Sequence, residues 1–147
     1  MEPYDKRIKE KGEKIIKNIQ KEFPDLEIFF VGSVALEIDG LRDIDIYCVC
    51  NDIRRYEEKF VIWFGMPTKR REHFADWHFG EKNYNVDLTL TDKTDKRHQR
   101  NIEIYRILSR NKKLLLEYSD LKASLNDATE FEYNRKRLIF FNRILGL

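Results

Sequence analysis

The spacing of apolar residues predicts a helix and two strands in the first third of the chain. Residues 5–23 repeat apolar side chains at helical intervals with lysines and glutamates between them, which predicts an amphipathic helix ended by Pro24. The apolar run at residues 26–31 predicts an interior strand, and residues 43–49 predict a second strand. The two strands form the beginning of a sheet.

The following segment adds one helix and two further strands. Residues 51–64 begin with cap residues and continue with apolar side chains at helical spacing. Residues 73–79 and 84–91 predict strands that are joined by a turn at residues 80–83. Along the second of these strands the apolar residues alternate with polar ones, so Asp87 faces away from the apolar side.

From Asp95 onward the period of the apolar residues is helical. Three helices are predicted, around residues 102–108, 114–125 and 131–144. The resulting fold class is α+β, in which helices pack on a small mixed sheet and a C-terminal helical bundle follows. We expect these elements to build one protein core and one helical extension.

Length and composition narrow the class of protein. A chain of 147 residues is typical of one domain, so we predict a single domain at 1–147 with an α/β core at 1–92 and a helical subdomain at 93–147. The net charge of +2 gives no strong signal for nucleic acid or membrane as a partner. The chain lacks a long apolar run and a signal-peptide core, so we expect a soluble, cytoplasmic protein.

Asp43 and Asp45 stand out because aspartate is depleted in strands and is costly to bury as an isolated charge. Residues i and i+2 of a strand share a face, so the two carboxylates point the same way and repel each other. If the strand that carries Asp87 is adjacent, three carboxylates converge on one point. Such oxygen ligands suit Mg²⁺ or Mn²⁺.

Gly32 and Ser33 lie between the first strand and a short helical segment, where backbone N–H groups can face an anion. Carboxylates that hold metal ions beside a phosphate-binding turn are the parts of a phosphoryl or nucleotidyl transfer site. A purely structural alternative stays open at this point. In it, Asp43 caps the turn and Asp45 pairs with Arg42 or another basic residue.

The segment from Gly32-Ser33 through Asp43-Ile44-Asp45-Ile46 resembles the signature of the nucleotidyltransferase superfamily related to DNA polymerase β. That signature has Gly-Gly or Gly-Ser, a spacer of similar length, two acidic residues separated by one apolar residue, and a third carboxylate on a later strand. The resemblance covers residues 5–91 and implies the fold of that superfamily. It also implies that Gly32 and Ser33 contact a triphosphate.

The C-terminal third is similar to the GrpB family, whose members carry an aromatic and arginine-rich stretch followed by Tyr-x-x-Leu-Lys and Tyr-x-x-Lys. The chain departs from that family because it lacks a proline-rich turn after Gly-Ser and keeps both aspartates of the acidic strand. The residues that carry the similarity are Tyr105, Arg106, Leu108, Arg110, Tyr118, Leu121, Lys122, Tyr133 and Lys136.

The resemblance implies a metal-dependent nucleotidyltransferase that moves an NMP group from an NTP, with ATP expected, to an acceptor hydroxyl and releases pyrophosphate. The expected cofactor is Mg²⁺ or Mn²⁺, and the acceptor is left open among a small molecule, RNA and protein. The alternative is a non-catalytic nucleotide-binding or partner-binding module of the same fold. The predicted site residues are Asp43, Asp45 and Asp87 for catalysis and metal binding, and Gly32, Ser33 and Arg42 for nucleotide binding.

Other chemistry-bearing residues have more ordinary interpretations. Cys48 and Cys50 lie two apart on an apolar strand, which predicts packed thiols rather than a disulfide or zinc site. The three histidines have no metal-binding spacing. Among the basic residues, Lys122 and Lys136 are candidates for contacts with a triphosphate or an acceptor.

Overall fold

The chain folds into five strands and six helices, in agreement with the predicted α+β class. The computed structural model describes all 147 residues. The elements are α1 Lys6–Glu22, β1 Glu27–Val31, α2 Gly32–Leu36, β2 Asp43–Cys50, α3 Arg54–Phe64, β3 Lys69–Arg70, β4 Phe74–Gly80, β5 Asn85–Asp92, α4 Lys96–Arg110, α5 Lys112–Ser124 and α6 Glu130–Ile144.

The strands form one mixed sheet in the order β1-β2-β5-β4-β3. The central pair, β2 and β5, is parallel, and every other neighbouring pair is antiparallel. The two-residue strand β3 is too short to give a pattern in the sequence. The helical crossover that a parallel pair requires is supplied between β2 and β5 by α3, after which β3 and β4 extend the sheet.

The prediction that residues 26–31 form an interior strand is wrong, because β1 lies at the edge of the sheet. Its apolar run has another cause, which is that helices contact the strand. The ring of Phe30 lies against Gly12 of α1, so closely that a Cβ on Gly12 would overlap it. On α4, the guanidinium of Arg106 lies 5.4 Å from the centre of the Phe29 ring. A strand covered in this way resembles an interior strand in its composition.

The main core lies on one face of the central strands, between the sheet and helices α1 and α3. The alternation predicted for β2 and β5 is confirmed, since six side chains of this face are at most 1% exposed. Both cysteines are buried free thiols, as predicted, and burial raises the pKa of Cys50 to about 11. The side chains of this face are Ile44, Ile46, Cys48, Val86, Leu88 and Leu90.

The three predicted C-terminal helices are confirmed and pack around a second, smaller apolar cluster. Each begins at a side chain that caps it, because Asp95, Asn111 and Thr129 accept hydrogen bonds from the first turn of α4, α5 and α6. In the cluster the ring of Tyr118 stacks on that of Phe140 with centroids 5.7 Å apart. None of the helices is both long and apolar enough to cross a bilayer.

An ion pair connects the ends of β4 and β5, where His73 Nδ1 lies 2.8 Å from Asp92 Oδ2. The hydrogen bond with Asp92 raises the pKa of His73 above its ordinary value of 6.5. Burial acts to raise the pKa of Asp92, but hydrogen bonds from Thr94 and His73 outweigh it and lower that pKa. Both charges therefore exist together in the folded protein over a wider pH range than in the unfolded chain.

We predict that this pair makes stability depend on pH. The contribution of His73 is complete below its unfolded pKa of about 6.5 and is lost as the pH rises through the raised folded value. The contribution of Asp92 is lost only as the pH falls through its lowered value. Urea unfolding should therefore show that His73→Ala destabilises the protein more at pH 5.5 than at pH 8.5. An equal loss at both pH values would contradict the assignment.

Candidate active site

The parallel pairing of β2 with β5 brings the predicted carboxylates together. The register places Asp45 opposite Asp87 and Asp43 opposite Asn85. The adjacency on which the sequence argument depended is therefore present. All three carboxylate residues line one cavity of about 610 Å³ between the sheet and the C-terminal helices.

The electrostatics of the carboxylates reflect burial and mutual repulsion. Burial raises the pKa of Asp45 well above its ordinary range, and the charges of Asp87 and Asp43 raise it further. Burial also raises the pKa of Asp43, partly offset by a hydrogen bond that Asn85 Nδ2 donates to Asp43 Oδ1 at 3.3 Å. The Nδ1 atom of His78, which is the residue opposite Asp87 on β4, is hydrogen-bonded to Asp87 Oδ1. The site therefore concentrates negative charge.

A divalent cation fits the chemistry of this donor set. The three side chains offer only carboxylate oxygens, which Mg²⁺ and Mn²⁺ prefer, and a cation would offset the burial and the repulsion that together raise the pKa of Asp45. No three His, Cys, Asp or Glu side chains are grouped closely enough to form a ready-made metal centre.

The turn at Gly32 brings the backbone directly against Asp45. Gly32 has φ +85°, and a Cβ on it would overlap Asp45 Oδ2. Only glycine therefore combines this backbone conformation with this close approach. Ser33 follows in the first turn of α2 and lines the same cavity as the carboxylates. The two parts of the sequence signature thus meet at one place.

Lys122 reaches the site from α5 and is only 8% exposed. Its Nζ donates a hydrogen bond to Ser33 Oγ. Burial and the charge of Arg137 lower the pKa of Lys122, while Asp45 and Asp43 act in the opposite direction. Gly40 makes room for this contact, because a Cβ there would lie 2.7 Å from Lys122 Nζ.

The other predicted lysine lies elsewhere. Lys136 Nζ is 3.5 Å from Glu132 Oε1, and the residue lines a separate groove between α5 and α6. Arg42 does not line the carboxylate cavity either. Its guanidinium lies 3.6 Å from Glu2 at a neighbouring depression, and its nucleotide-binding role stays a prediction without a position in the cavity.

Arg137 of α6 is a candidate site residue that the sequence patterns did not predict. It lines the cavity, donates to the Tyr105 hydroxyl at 3.1 Å, and its guanidinium carbon lies 4.9 Å from the centre of the Phe141 ring. Its Nε is buried without a hydrogen-bond partner, and it forms no salt bridge. The signal was present in the spacing, because Tyr133, Arg137 and Phe141 recur every four residues and so share a helix face.

Comparison with known proteins identifies the fold. No protein-family model matches the chain, and no curated protein matches it. The structure of the conserved protein GrpB from Enterococcus faecalis is similar, with a TM-score of 0.72 and 13% identity over 97% of this chain and 95% of that one. Cid1, which has RNA terminal uridylyl transferase activity, is similar with a TM-score of 0.55 and 16% identity.

The chain has a nucleotidyltransferase fold. The likeness to Cid1 covers 77% of this chain but only 38% of the longer Cid1 chain. Cid1 structures with MgGTP bound and with Mg 3'-dATP bound have TM-scores of 0.53 and 0.54 to this chain, at 12% and 16% identity. The fold implied by the sequence resemblance is thereby confirmed.

We predict that Gly32→Ala in this nucleotidyltransferase fold is more destabilising than Gly65→Ala. Both glycines have φ +85°, so each substitution introduces backbone strain on the order of 1–3 kcal/mol. A Cβ on Gly65 meets nothing within 4 Å, whereas one on Gly32 overlaps Asp45. Overpacking adds about 1–3 kcal/mol. Chemical unfolding of the two variants measures the difference in their free energies of unfolding. Equal losses of stability would contradict the close approach of Gly32 to Asp45.

Proposed function

We propose that the protein is a metal-dependent nucleotidyltransferase that moves an NMP group from an NTP to an acceptor hydroxyl and releases pyrophosphate. The observation that carries this proposal is that Asp43, Asp45 and Asp87 line the same cavity as Gly32 and Ser33. The similarity in fold to Cid1 supports the same class of reaction. ATP as the donor, a cytoplasmic location, and a boundary between subdomains at residue 92 belong to the proposal.

The carboxylates of Asp43, Asp45 and Asp87 would hold Mg²⁺ or Mn²⁺. When bound, such a cation supplies positive charge that neutralises the phosphate oxygens and lowers the energy of the transition state. The buried position of Asp45 between two other carboxylates makes it the most dependent of the three on a cation. Substituting it is therefore the sharpest test of metal dependence.

The triphosphate would lie between the Gly32-Ser33 turn and the basic residues of the C-terminal helices. Lys122 already contacts Ser33, and Arg137 has a buried Nε without a partner. A buried guanidinium that pairs with no carboxylate is suited to an anionic ligand, because an anion would compensate its charge. A cavity of about 610 Å³ is also within the range of sites for ligands the size of a nucleotide.

The reaction itself would be an in-line displacement. The acceptor oxygen forms a bond to the α-phosphorus, and the bond from that phosphorus to the bridging oxygen breaks. Pyrophosphate leaves with the electron pair of the broken bond, and Asp87, as base, accepts the proton of the acceptor hydroxyl. The positive charges of Lys122 and Arg137 stabilise the charge that develops on the leaving group.

We expect Asp45→Asn to reduce nucleotidyl transfer at least about 100-fold, as the loss of a group that stabilises charge in the transition state does. Transfer is measured as pyrophosphate release from ATP with Mg²⁺ and a panel of small-molecule, RNA and protein acceptors. Asp120→Asn is the matched control, because Asp120 is exposed on α5 and lies outside the cavity. Full activity of Asp45→Asn would refute the assignment.

A second pair of variants tests the triphosphate site. Lys122→Met should weaken the binding of MgATP by about 10-fold to 100-fold, since a hydrogen bond to a charged group contributes about 1.5–3 kcal/mol. Lys136→Met removes a lysine of the same type that lies outside the cavity and should leave the Kd unchanged. Titration calorimetry measures both. Equal changes in Kd for the two substitutions would show that Lys122 does not bind the triphosphate.

The alternative function is a nucleotide-binding or partner-binding module without catalysis. It is favoured by one observation, which is that Lys122 and Arg137 offer positive charge to an anion in the cavity without any contribution from the carboxylates. MgATP binding that depends on Lys122, with no pyrophosphate release for any acceptor in the panel, would support this alternative. Acceptor-dependent release that Asp45→Asn abolishes would exclude it.

A further inference from the structure

A second cavity shares Asp45, Asp87, Tyr105 and Arg137 with the first one. It has a volume of about 160 Å³ and continues along the same face of the central strands, where Tyr47 on β2 lies opposite Thr89 on β5. Tyr47 and Thr89 are each two residues beyond a carboxylate of the site, so strand alternation puts them on the same face. The candidate active site is therefore open on two sides of the Asp45–Asp87 pair.

Apart from the two carboxylates and Arg137, which both cavities share, the polar groups of the smaller cavity are uncharged. Asn101 of α4 donates from Nδ2 to the Tyr47 hydroxyl at 3.2 Å, which leaves the Tyr47 O–H free to donate. Thr89 donates from Oγ1 to Asp76 at 2.8 Å, which leaves its oxygen free to accept. Burial raises the pKa of Tyr47, so its hydroxyl stays neutral. The wall of the smaller cavity thus offers both a hydrogen-bond donor and hydrogen-bond acceptors.

We propose that the smaller cavity is the acceptor site and that it takes a small, uncharged polyhydroxy molecule. This inference rests on the nucleotidyltransferase function proposed above. A hydroxyl group both donates and accepts, so it matches the Tyr47 and Thr89 oxygens, and a further hydroxyl of the same molecule reaches Asp87. The nucleotide occupies the larger cavity, and its α-phosphate lies at the carboxylates that the two cavities share.

The size of the cavity selects the class of acceptor. A cavity of about 150 Å³ holds a ligand the size of benzene, with about six non-hydrogen atoms, which is also the size of glycerol. The observed 160 Å³ is therefore enough for a short polyol. Sites for drug-sized ligands are about 300–1,000 Å³, so a short polyol matches this volume better than the sugar and base of an RNA end. The acceptor class accordingly differs from that of an RNA terminal transferase.

Binding is tested first, in a way that does not depend on catalysis. The backbone amide signals of the ¹⁵N-labelled protein are followed by NMR as glycerol and then erythritol are added. We expect saturable shifts at Tyr47, Thr89 and Asn101. Tyr47→Phe and Asn101→Ala should each weaken this binding at least 10-fold, while Ser109→Ala, an exposed change on the same helix, should not alter it. Thermal unfolding shows whether each variant is folded.

The same titration with MgATP separates this inference from the proposed function, since ATP should shift the signals of Ser33 and Lys122. Saturable ATP shifts with no polyol shifts would overturn the acceptor assignment and leave the nucleotide site standing. Polyol shifts without ATP shifts would overturn the nucleotidyltransferase function and the acceptor role with it. Saturable shifts with both ligands support the nucleotidyltransferase function and the acceptor site.

Transfer is tested with ATP labelled on the α-phosphate. We expect the label to pass to erythritol or glycerol and not to oligoadenylate, and Tyr47→Phe should raise the KM for the polyol while leaving the KM for ATP unchanged. Label on oligoadenylate alone would overturn the inference and make RNA the acceptor. An equal rise in both KM values for Tyr47→Phe would also contradict it, because the cavity would then not be specific to the acceptor.

Discussion

The pairing of two parallel strands is the constraint on which the rest of the structure depends. β2 and β5 meet in a register that sets Asp45 beside Asp87, and the like charges oppose the pairing. The opposite face compensates, because Ile44, Ile46 and Leu88 are at most 1% exposed there. The apolar face provides the stability that lets the polar face keep a costly arrangement of charge.

The C-terminal helices complete the site by bringing positive charge to it. Lys122 and Arg137 come from α5 and α6, and both lie close to the carboxylates that the sheet presents. A buried cation needs compensation as much as a buried carboxylate does. The tyrosines around Arg137 provide part of it, since Tyr105 accepts a hydrogen bond from the guanidinium. The helical third of the chain therefore supplies charged side chains to the cavity as well as packing against the sheet.

Sequence patterns predicted the elements and the fold, because periodicity and turn residues act locally. The alternation of β5 was enough to put Asp87 on the polar face, and the Gly32-Ser33 signature indicated a fold that this chain shares with part of Cid1. Features that depend on long-range packing were not predictable in this way. β1 has the composition of an interior strand because helices contact it, and Arg137 is recognisable only once α6 is oriented against the sheet.

The position of the two paired carboxylates along the chain also bears on how the protein folds. Asp45 and Asp87 are adjacent in space, but a helix and two strands separate them in the sequence. Parallel pairing at this separation is a nonlocal step, and such steps slow folding because the intervening chain must first be ordered. The charge cluster therefore does not exist in partly folded chains that lack this pairing. The cavity beside these carboxylates is therefore a property of the completed fold.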